Sequence, residues 1–359
     1  MSEHKFSYRW TLKDANFTKD KGKVFSCFAC GGGSTMGYKL AGYDVIGCNE
    51  IDPRMMKLYI ANHNPKYSFC EDIRTFKMRK DLPDELYQLD ILDGSPPCSS
   101  FSTAGSREKG WGKEKKFREG QTEQVLDTLF FDFIDLVKEL QPKVVVAENV
   151  KGLMLGNAIK YVQRIYQEFE QAGYSLCHTL CDAAVMGVPQ RRERVFFTAI
   201  RRDLFCKIPT RTTLFETVPY IDLKFNENPI PFREFYMPGV DDRPCRRGPM
   251  FSYWQKRKPA DEDFGQITER EFGKTKCFTS KLVKKDEVVL TLRTPQNCLY
   301  LYDEYRYPNK QEIINIATFP ADYDFCGEPY FYVCGMSVPP VMMAQVATRI
   351  WEQWLSKIQ

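Results

Sequence analysis

The sequence lacks any long apolar run. No stretch of its 359 residues approaches the roughly 18–20 consecutive apolar residues that span a bilayer, and the start, Met1-Ser-Glu-His-Lys5, has no apolar segment of the signal-peptide type. These absences argue against a membrane protein and predict an intracellular chain. The 13 cysteines are therefore expected to be mostly reduced thiols.

Metal-ligand spacing is also missing. Cys27 and Cys30 form one Cys-x-x-Cys pair inside a glycine-rich turn, and no second pair follows at zinc-like spacing. We therefore expect no metal ion there. Internal repeats and low-complexity tracts are absent too, so the 43% of hydrophobic residues predict one large core and a second module.

A strong net charge is the third absence. The total is +4, but residues 201–300 hold 19 Lys and Arg against 14 Asp and Glu, while the remaining residues hold 32 against 33. The excess therefore lies in one segment. It would attract a polyanion, although an excess of this size is also typical of an ordinary surface.

Short apolar runs alternate with helical patterns in the first part of the chain. Strands are predicted at Val24–Phe28, Asp44–Asn49, Leu89–Asp93, Lys143–Glu148, Tyr174–Asp182 and Arg194–Ile200. Helices are predicted at Ser34–Gly42, Pro53–Asn62, Gln121–Leu140 and Gly156–Ala172. This alternation predicts a doubly wound α/β sheet with ligand sites at the carboxyl ends of its strands.

The pattern changes after Arg201. As far as about Tyr307 the chain is rich in proline, aromatic residues and mixed charge, with little helical periodicity. It predicts a second, smaller, irregular and β-leaning domain, because aromatic residues are too frequent for disorder. Helical patterns return at Pro308–Phe319 and at Ser337–Leu355.

A glycine turn follows the first predicted strand. Gly31, Gly32 and Gly33 would let the backbone approach a nucleotide-like ligand, and the helix that follows offers free N–H groups. Glu50 ends the next strand, where a carboxylate can accept both ribose hydroxyls. By themselves these features fit NAD enzymes, S-adenosylmethionine enzymes or a purely structural turn.

Candidate catalytic side chains also lie at strand ends. Cys98 follows a rigid proline pair within Asp93–Ser102, which presents its thiol at the end of a strand. Glu148 ends another strand, and Arg192 and Arg194 are two apart on an extended segment, so we expect them to point the same way. Together they suggest a nucleophile, an acid and an orienting cluster. Taken singly, each is equally typical of a core thiol, a surface carboxylate or a solvated charge run.

In this order the motifs resemble the cytosine-C5 methyltransferase family, from about residue 24 to the C-terminus. They read Gly31-Gly-Gly33, Ser95-Pro-Pro-Cys98, Glu148-Asn-Val150 and Gln190-Arg-Arg-Glu-Arg194. The resemblance implies methylation of C5 of cytosine in a specific double-stranded DNA sequence by base flipping. Cys98 would attack C6, Glu148 would hold a proton at N3, and Arg192 and Arg194 would hold the base O2 and the catalytic loop.

The resemblance further implies an S-adenosylmethionine-dependent, Rossmann-like catalytic domain at 1–200, a target-recognition domain at 201–325, and a segment at 326–359 that returns to the catalytic domain. By its composition, the basic, glycine-hinged stretch Ser99–Gly120 suits either a lid that closes over nucleic acid or a disordered surface loop. Residues implied to bind S-adenosyl-L-methionine are Phe28, Gly31, Gly32, Gly33, Glu50, Ile51, Asp72, Ile73, Pro96 and Ser337. The family is typically monomeric on DNA, of prokaryotic or phage origin and cytoplasmic at the nucleoid, and it allows a cognate restriction endonuclease as partner.

Near its end the chain keeps four residues of a family motif, namely Arg306, Glu312, Phe319 and Pro320. It departs from the family pattern at Cys30, Asn315, Thr318 and Met336, where glycine, arginine, glycine and asparagine are more usual. Two alternatives therefore stay open. One is a tRNA cytosine-C5 methyltransferase, echoed by Cys277-Phe-Thr279 and by Glu148–Gly152. The other is a non-catalytic DNA-binding relative, motivated by Cys30 and Met336.

Overall fold

The computed structural model describes residues 4–97, 128–212, 217–243 and 245–358. The chain divides into two compact units. The sheet unit comprises Asn16–Cys181, Glu193–Lys224 and Met343–Gln359. The second unit comprises Met1–Ala15, Asp182–Arg192 and Phe225–Met342. This division by contacts assigns the first fifteen residues and 326–342 to the second unit, whereas the sequence predicted functional domains at 1–200, 201–325 and 326–359.

The strands of the described residues are β1 (Lys23–Cys27), β2 (Asp44–Asn49), β3 (Tyr67–Phe69), β4 (Ile91–Gly94), β5 (Val144–Val150), β6 (Tyr174–Asp182), β7 (Gln190–Arg191), β8 (Glu193–Arg201), β9 (Thr210–Thr212), β10 (Thr217–Pro219), β11 (Lys281–Val283), β12 (Val289–Leu290) and β13 (Leu299–Leu301). The α-helices are α1 (Gly33–Leu40), α2 (Pro53–His63), α3 (Ile73–Phe76), α4 (Leu129–Leu140), α5 (Ile159–Gln171), α6 (Pro249–Gln255), α7 (Phe264–Phe272), α8 (Lys310–Ala317), α9 (Tyr330–Met336), α10 (Pro340–Ile350) and α11 (Ser356–Ile358). A π-helical turn, Trp351–Leu355, joins the last two.

The sheet unit is built on a seven-stranded sheet with the order β3-β2-β1-β4-β5-β8-β6. From β3 to β5 each neighbouring pair is parallel, so these strands end at one edge of the sheet. β8 runs antiparallel to β5. The large mixed sheet confirms the predicted α/β fold class, in which ligands bind beyond the carboxyl ends of the strands.

Apolar patterning explains this sheet. The segment Val144–Ala147 of β5 is fully buried, as expected for a parallel strand covered on both faces. On α4, Phe130, Phe133 and Val137 recur at helical spacing and are all buried in the same core. Burying each such side chain contributes about 1.5–3 kcal/mol, so the packing of α4 holds the strand ends in place.

The second unit is irregular but more helical than predicted. β7 pairs in parallel with β12, and β11 with β13. Four buried side chains form a small core, namely Phe264, Ile267, Leu282 and Tyr300. The expectation of little helix before residue 307 missed α6 and α7. The reason is that α6 buries no residue and α7 is short, so neither produces a long apolar stripe.

Three features are absent from the part of the chain that the structure describes. None of its helices is long and apolar enough to cross a membrane. It contains no group of three or more His, Cys, Asp or Glu side chains that could hold a metal ion. Its cysteines are free thiols rather than disulfides.

Candidate active site

A row of paired residues crosses the sheet at the carboxyl ends of its parallel strands, formed by Cys27, Asn49, Phe69, Gly94 and Ala147. The glycine turn, Glu50, Asp72, Pro96 and Glu148 each follow one member of this row within a few residues. The sheet therefore brings these predicted site residues to one edge, as the strand-end argument expected.

The glycine turn links β1 to α1 through left-handed backbone. Phe28, Cys30 and Gly32 have φ angles of 54°, 47° and 77°. The N–H of Gly32 donates to Ala29 O at 2.8 Å and closes the turn. Cys30, at a position where the family usually has glycine, costs about 1–2 kcal/mol in this conformation. The turn therefore tolerates Cys30 in place of glycine, at the cost of local backbone strain.

Gly32 is required by space as well as by conformation. A Cβ atom built on it would lie 2.1 Å from Nε2 of His63, at the end of α2. Burial lowers the pKa of His63 to about 3, so its imidazole is neutral at physiological pH. The sequence analysis did not single out His63, because nothing in its spacing signals a contact with a turn 31 residues away.

Glu50 connects the glycine turn to the end of β2. Its Oε2 accepts a hydrogen bond from the Cys30 N–H, and its Oε1 accepts one from the Asp52 N–H, both at 2.8 Å. Burial raises the pKa of the Glu50 carboxyl, and the two backbone hydrogen bonds oppose that rise. Each oxygen keeps acceptor capacity for one further hydroxyl.

Asp72 caps the N-terminus of α3. Its Oδ1 accepts from the Arg74 N–H at 2.8 Å, and Arg74 Nε donates to the same oxygen at 3.2 Å. The adjacent Ile73 is buried, whereas Ile51 is 38% exposed beyond β2. Phe28 is half-buried against Phe133. These side chains follow the ends of β1, β2 and β3 at the same edge of the sheet.

Cys98 lies outside the described residues, as does the predicted lid Ser99–Gly120. The structure does describe the approach to Cys98. Pro96 is buried, and its carbonyl accepts a hydrogen bond from Asn149 Nδ2 at 3.1 Å. Asn149, only 4% exposed, therefore fastens this approach to β5 beside Glu148. The sequence analysis gave Asn149 no such role.

Glu148 and Arg194 lie next to each other in the sheet unit. Glu148 is opposite Phe196 and Arg194 is opposite Val150 in the antiparallel β5–β8 pair, so the two side chains are diagonal neighbours. Arg194 Nε lies 2.6 Å from Glu148 Oε1 in a largely buried ion pair. The ion pair fixes the Glu148 carboxyl at the end of β5, beside the approach to Cys98.

Comparison with known proteins gives this arrangement a family. The family profile described as C-5 cytosine-specific DNA methylase matches residues 22–352.

The chain belongs to the C-5 cytosine-specific DNA methylase family. It is 37% identical over 182 residues to the Type II methyltransferase M.FnuDI of Fusobacterium nucleatum, covering 51% of this chain and 48% of that protein. It is 35% identical over 185 residues to the Type II methyltransferase M.NgoPII of Neisseria gonorrhoeae, covering 52% and 50%. The match thus spans about half the length of these curated relatives.

A solved structure supports the fold. A candidate DNA modification methyltransferase encoded within an Escherichia coli prophage superposes with a TM-score of 0.61 at 20% identity, covering 92% of this chain and 99% of that one. The family resemblance predicted from the motifs is confirmed by the profile. Membership of a methylase family implies a methyl donor.

Arg192 and Ser337 belong to the second unit of this family member. Arg192 is 2% exposed, and its two Nη atoms donate to the carbonyls of Leu292 at 3.0 Å and Gly335 at 3.1 Å. The structure therefore gives Arg192 and Arg194 separate partners, rather than the shared orientation expected from their spacing. Ser337 is buried at the end of α9 and donates to Val333 O at 2.8 Å.

The C-terminal family motif has a structural core. Glu312 is fully buried and accepts from both Nη atoms of Arg306, at 2.7 and 3.0 Å, and from the N–H groups of Asn309 and Met237, at 2.8 and 2.9 Å. It completes a capping box at the start of α8. Thr318, in place of the family's usual glycine, ends that helix with a φ of 54°.

One buried carboxyl at the same sheet edge has no predicted role. Asp93, in β4, is 1% exposed and accepts from Ser26 Oγ at 2.8 Å and from the Tyr38 hydroxyl at 3.2 Å. Burial raises its pKa to about 7, and the nearby Glu148 charge adds to the rise. Its place in the motif that leads to Cys98 was the only sequence signal.

Proposed function

We propose that this chain methylates C5 of cytosine in a specific sequence of double-stranded DNA, with S-adenosyl-L-methionine as the methyl donor. The observation that carries the proposal is the Glu148–Arg194 ion pair beside the anchored approach to Cys98. The glycine turn and Glu50 follow the ends of strands at the same edge. Family membership supports the reaction class.

The residues at this edge fit the proposed donor. α1 has no side-chain N-cap, so its first N–H groups are open to a carboxylate. Glu50 has acceptor capacity left for ribose hydroxyls, and Asp72 places a second carboxylate beyond β3 for an exocyclic amine. Phe28, Ile51 and Ile73 supply apolar surface. When bound, S-adenosylmethionine supplies an electrophilic methyl group.

Cys98 acts on the cytosine ring. As a thiolate it adds to C6, which makes C5 a nucleophilic carbon. Glu148 holds a proton at N3, so that negative charge on the ring is neutralised, and Arg194 keeps the carboxyl of Glu148 in position. After C5 has gained the methyl group, the C5 proton leaves and the sulfur is released from C6.

DNA sequence is read outside this edge. The positive excess lies in 201–300, and most of the predicted target-recognition domain falls in the second unit. Because phosphate contacts dominate affinity, we expect DNA binding to weaken steeply with salt. We further propose that the protein acts on DNA as a monomer and that its partner is a cognate restriction endonuclease.

Bisulfite sequencing of DNA from cells that express the protein tests the function. We expect protected cytosines at one recurring sequence, and none with Cys98→Ser, since a hydroxyl is a far weaker nucleophile. A Cys98→Ser rate above about a hundredth of the wild-type rate would exclude Cys98 as the nucleophile.

A covalent trap tests the mechanism. DNA with 5-fluorocytosine at the target should give a shifted band on a denaturing gel that depends on the donor, because fluorine cannot leave C5 as the proton does. A protein that binds DNA but neither binds S-adenosylmethionine nor transfers methyl groups would instead be the non-catalytic relative.

A further inference from the structure

An exposed loop follows α7 in the second unit. Eight consecutive residues from Glu271 to Phe278 are exposed. They include Phe272, 50% exposed, and Phe278, 57% exposed, with Lys274 and Lys276 between them. Phe278 is the most exposed aromatic residue in the described part of the chain. We call residues 273–278 the Phe278 loop.

Packing beneath the Phe278 loop fixes its backbone. The hydroxyl of Thr268 accepts from the Lys276 N–H at 2.8 Å and donates to Lys276 O at 3.0 Å, and Thr268 is fully buried. A Cβ atom built on Gly265 would lie 2.7 Å from Cβ of Phe278, so the glycine lets the loop close onto α7. The side chain of Thr275 donates to Glu269. These contacts with α7 therefore hold the Phe278 ring in an exposed position.

The two lysines keep their charge available. Nearby basic side chains are paired, Arg270 with Asp261 and Lys281 with Asp263. Within the described ranges, no ion pair is formed by Lys274 or Lys276. The loop thus combines two unneutralised positive charges with one exposed ring, and both lysines lie within four residues of that ring. This combination is complementary to a polyanion that also offers apolar surface.

We propose that the Phe278 loop contacts the DNA substrate, with Lys274 and Lys276 against phosphates and Phe278 against base edges in a groove. The inference rests on the proposed function and deepens it, because it assigns the contact to particular residues of the second unit. Phosphate contacts set affinity and register, whereas an apolar side chain at the base edges contributes sequence preference.

Two variants separate the two kinds of contact, and binding is measured on a duplex with the methylated sequence and on an unrelated duplex over a range of salt. The double variant Lys274→Ala/Lys276→Ala should weaken binding to both duplexes by the same factor. It should also reduce the slope of log affinity against log salt concentration by about 1.8. Phe278→Ala should weaken binding to the target duplex alone, by about tenfold, and leave the salt dependence of binding unchanged.

Met78→Ala and Lys80→Ala are the matched controls. Met78→Ala removes an apolar side chain of the sheet unit that is 68% exposed, and Lys80→Ala removes a lysine two residues away. Neither substitution should change binding to either duplex or its salt dependence. Phe278→Leu should recover most of the affinity that Phe278→Ala loses, because it keeps an apolar side chain there. Melting temperatures of all variants check that the fold is intact.

The outcomes distinguish the inference from the function it rests on. A wild-type protein that does not methylate DNA removes the proposed function. If the wild type methylates DNA and the loop variants bind both duplexes normally, only the inference is overturned. Loop variants that lose binding to a tRNA probe but not to duplex DNA would also overturn it, in favour of an RNA contact.

Discussion

Replacing Asp93 by asparagine should remove a pH-dependent loss of stability. The pKa of Asp93 is about 7 in the folded protein and 3.8 ordinarily, because burial penalises the charged carboxylate. The folded state therefore keeps this proton up to about pH 7, whereas the unfolded chain loses it near 3.8. Stability linked to Asp93 is fully present below the lower value and is lost as pH rises through the higher one.

The size of this effect follows from the two pKa values. Each pH unit between them corresponds to about 1.36 kcal/mol, so complete ionisation of Asp93 costs about 4 kcal/mol. Most of the measurable part falls between pH 5 and pH 8, where the wild type should lose about 2–3 kcal/mol relative to Asp93→Asn. The amide has the shape of the protonated acid and can still accept a hydrogen bond from Ser26 or Tyr38.

Urea unfolding of both proteins at pH 5, 6, 7 and 8 measures the difference. Other groups that titrate cancel when the two free energies of unfolding are subtracted. Asp81→Asn is the control, since Arg79 lowers the pKa of that exposed carboxyl and its difference from the wild type should be flat over this range. A flat difference for Asp93→Asn as well would refute a buried, protonated Asp93.

Three further substitutions test how the sheet edge is built. Gly32→Ala should destabilise the fold by about 1–3 kcal/mol and abolish S-adenosylmethionine binding, measured by melting and calorimetry, because of the positive φ and the contact with His63. Asn149→Ala should lower kcat at least tenfold with little change in donor affinity, measured by steady-state kinetics, because it frees the Pro96 carbonyl. Glu50→Gln should cost about 1.5–3 kcal/mol of stability and also weaken binding of the methyl donor, since the amide NH₂ accepts no hydrogen bond and leaves one of the two backbone N–H groups without its acceptor.

Each of these has a result that contradicts it. Gly173→Ala is the control for Gly32, because Gly173 has a φ of 86° but no atom within 4 Å of its built Cβ; equal losses would mean that contact with His63 is unimportant. An Asn149→Ala enzyme with normal kcat would show that the approach to Cys98 is held by other groups. Weaker donor binding by Glu50→Gln without loss of stability would assign Glu50 to the ligand alone.

The α/β core could be predicted because its pattern is local and strong. β2 and β6 have the bounds predicted from their apolar runs, and the other predicted core strands differ by one or two residues at their ends. β3 was missed because three residues, Tyr67–Phe69, give no readable periodicity. α6 and α7 were missed because α6 buries no residue and α7 is short, so neither produces a long apolar stripe.

The candidate site was predictable where a side chain follows a strand end. Glu50 and Glu148 follow strands of the sheet, so the strand prediction placed them at one edge, whereas the ion pair of Glu148 with Arg194 was not predicted. Asn149 and Asp93 act through contacts with residues more than 50 positions away, which no spacing rule in the sequence reveals. Their roles emerged only from the folded chain.

The carboxylate of Glu312 has a consequence for local opening of the second unit. Its four donors come from two separate chain segments, one around Met237 and the other from Arg306 to Asn309 at the start of α8. Neither segment can detach without leaving the buried carboxylate of Glu312 with fewer hydrogen-bond donors. Fraying of α8 alone is therefore disfavoured. In hydrogen–deuterium exchange, the amides of Met237 and Asn309 should exchange at the same slow rate, as members of one cooperative opening unit.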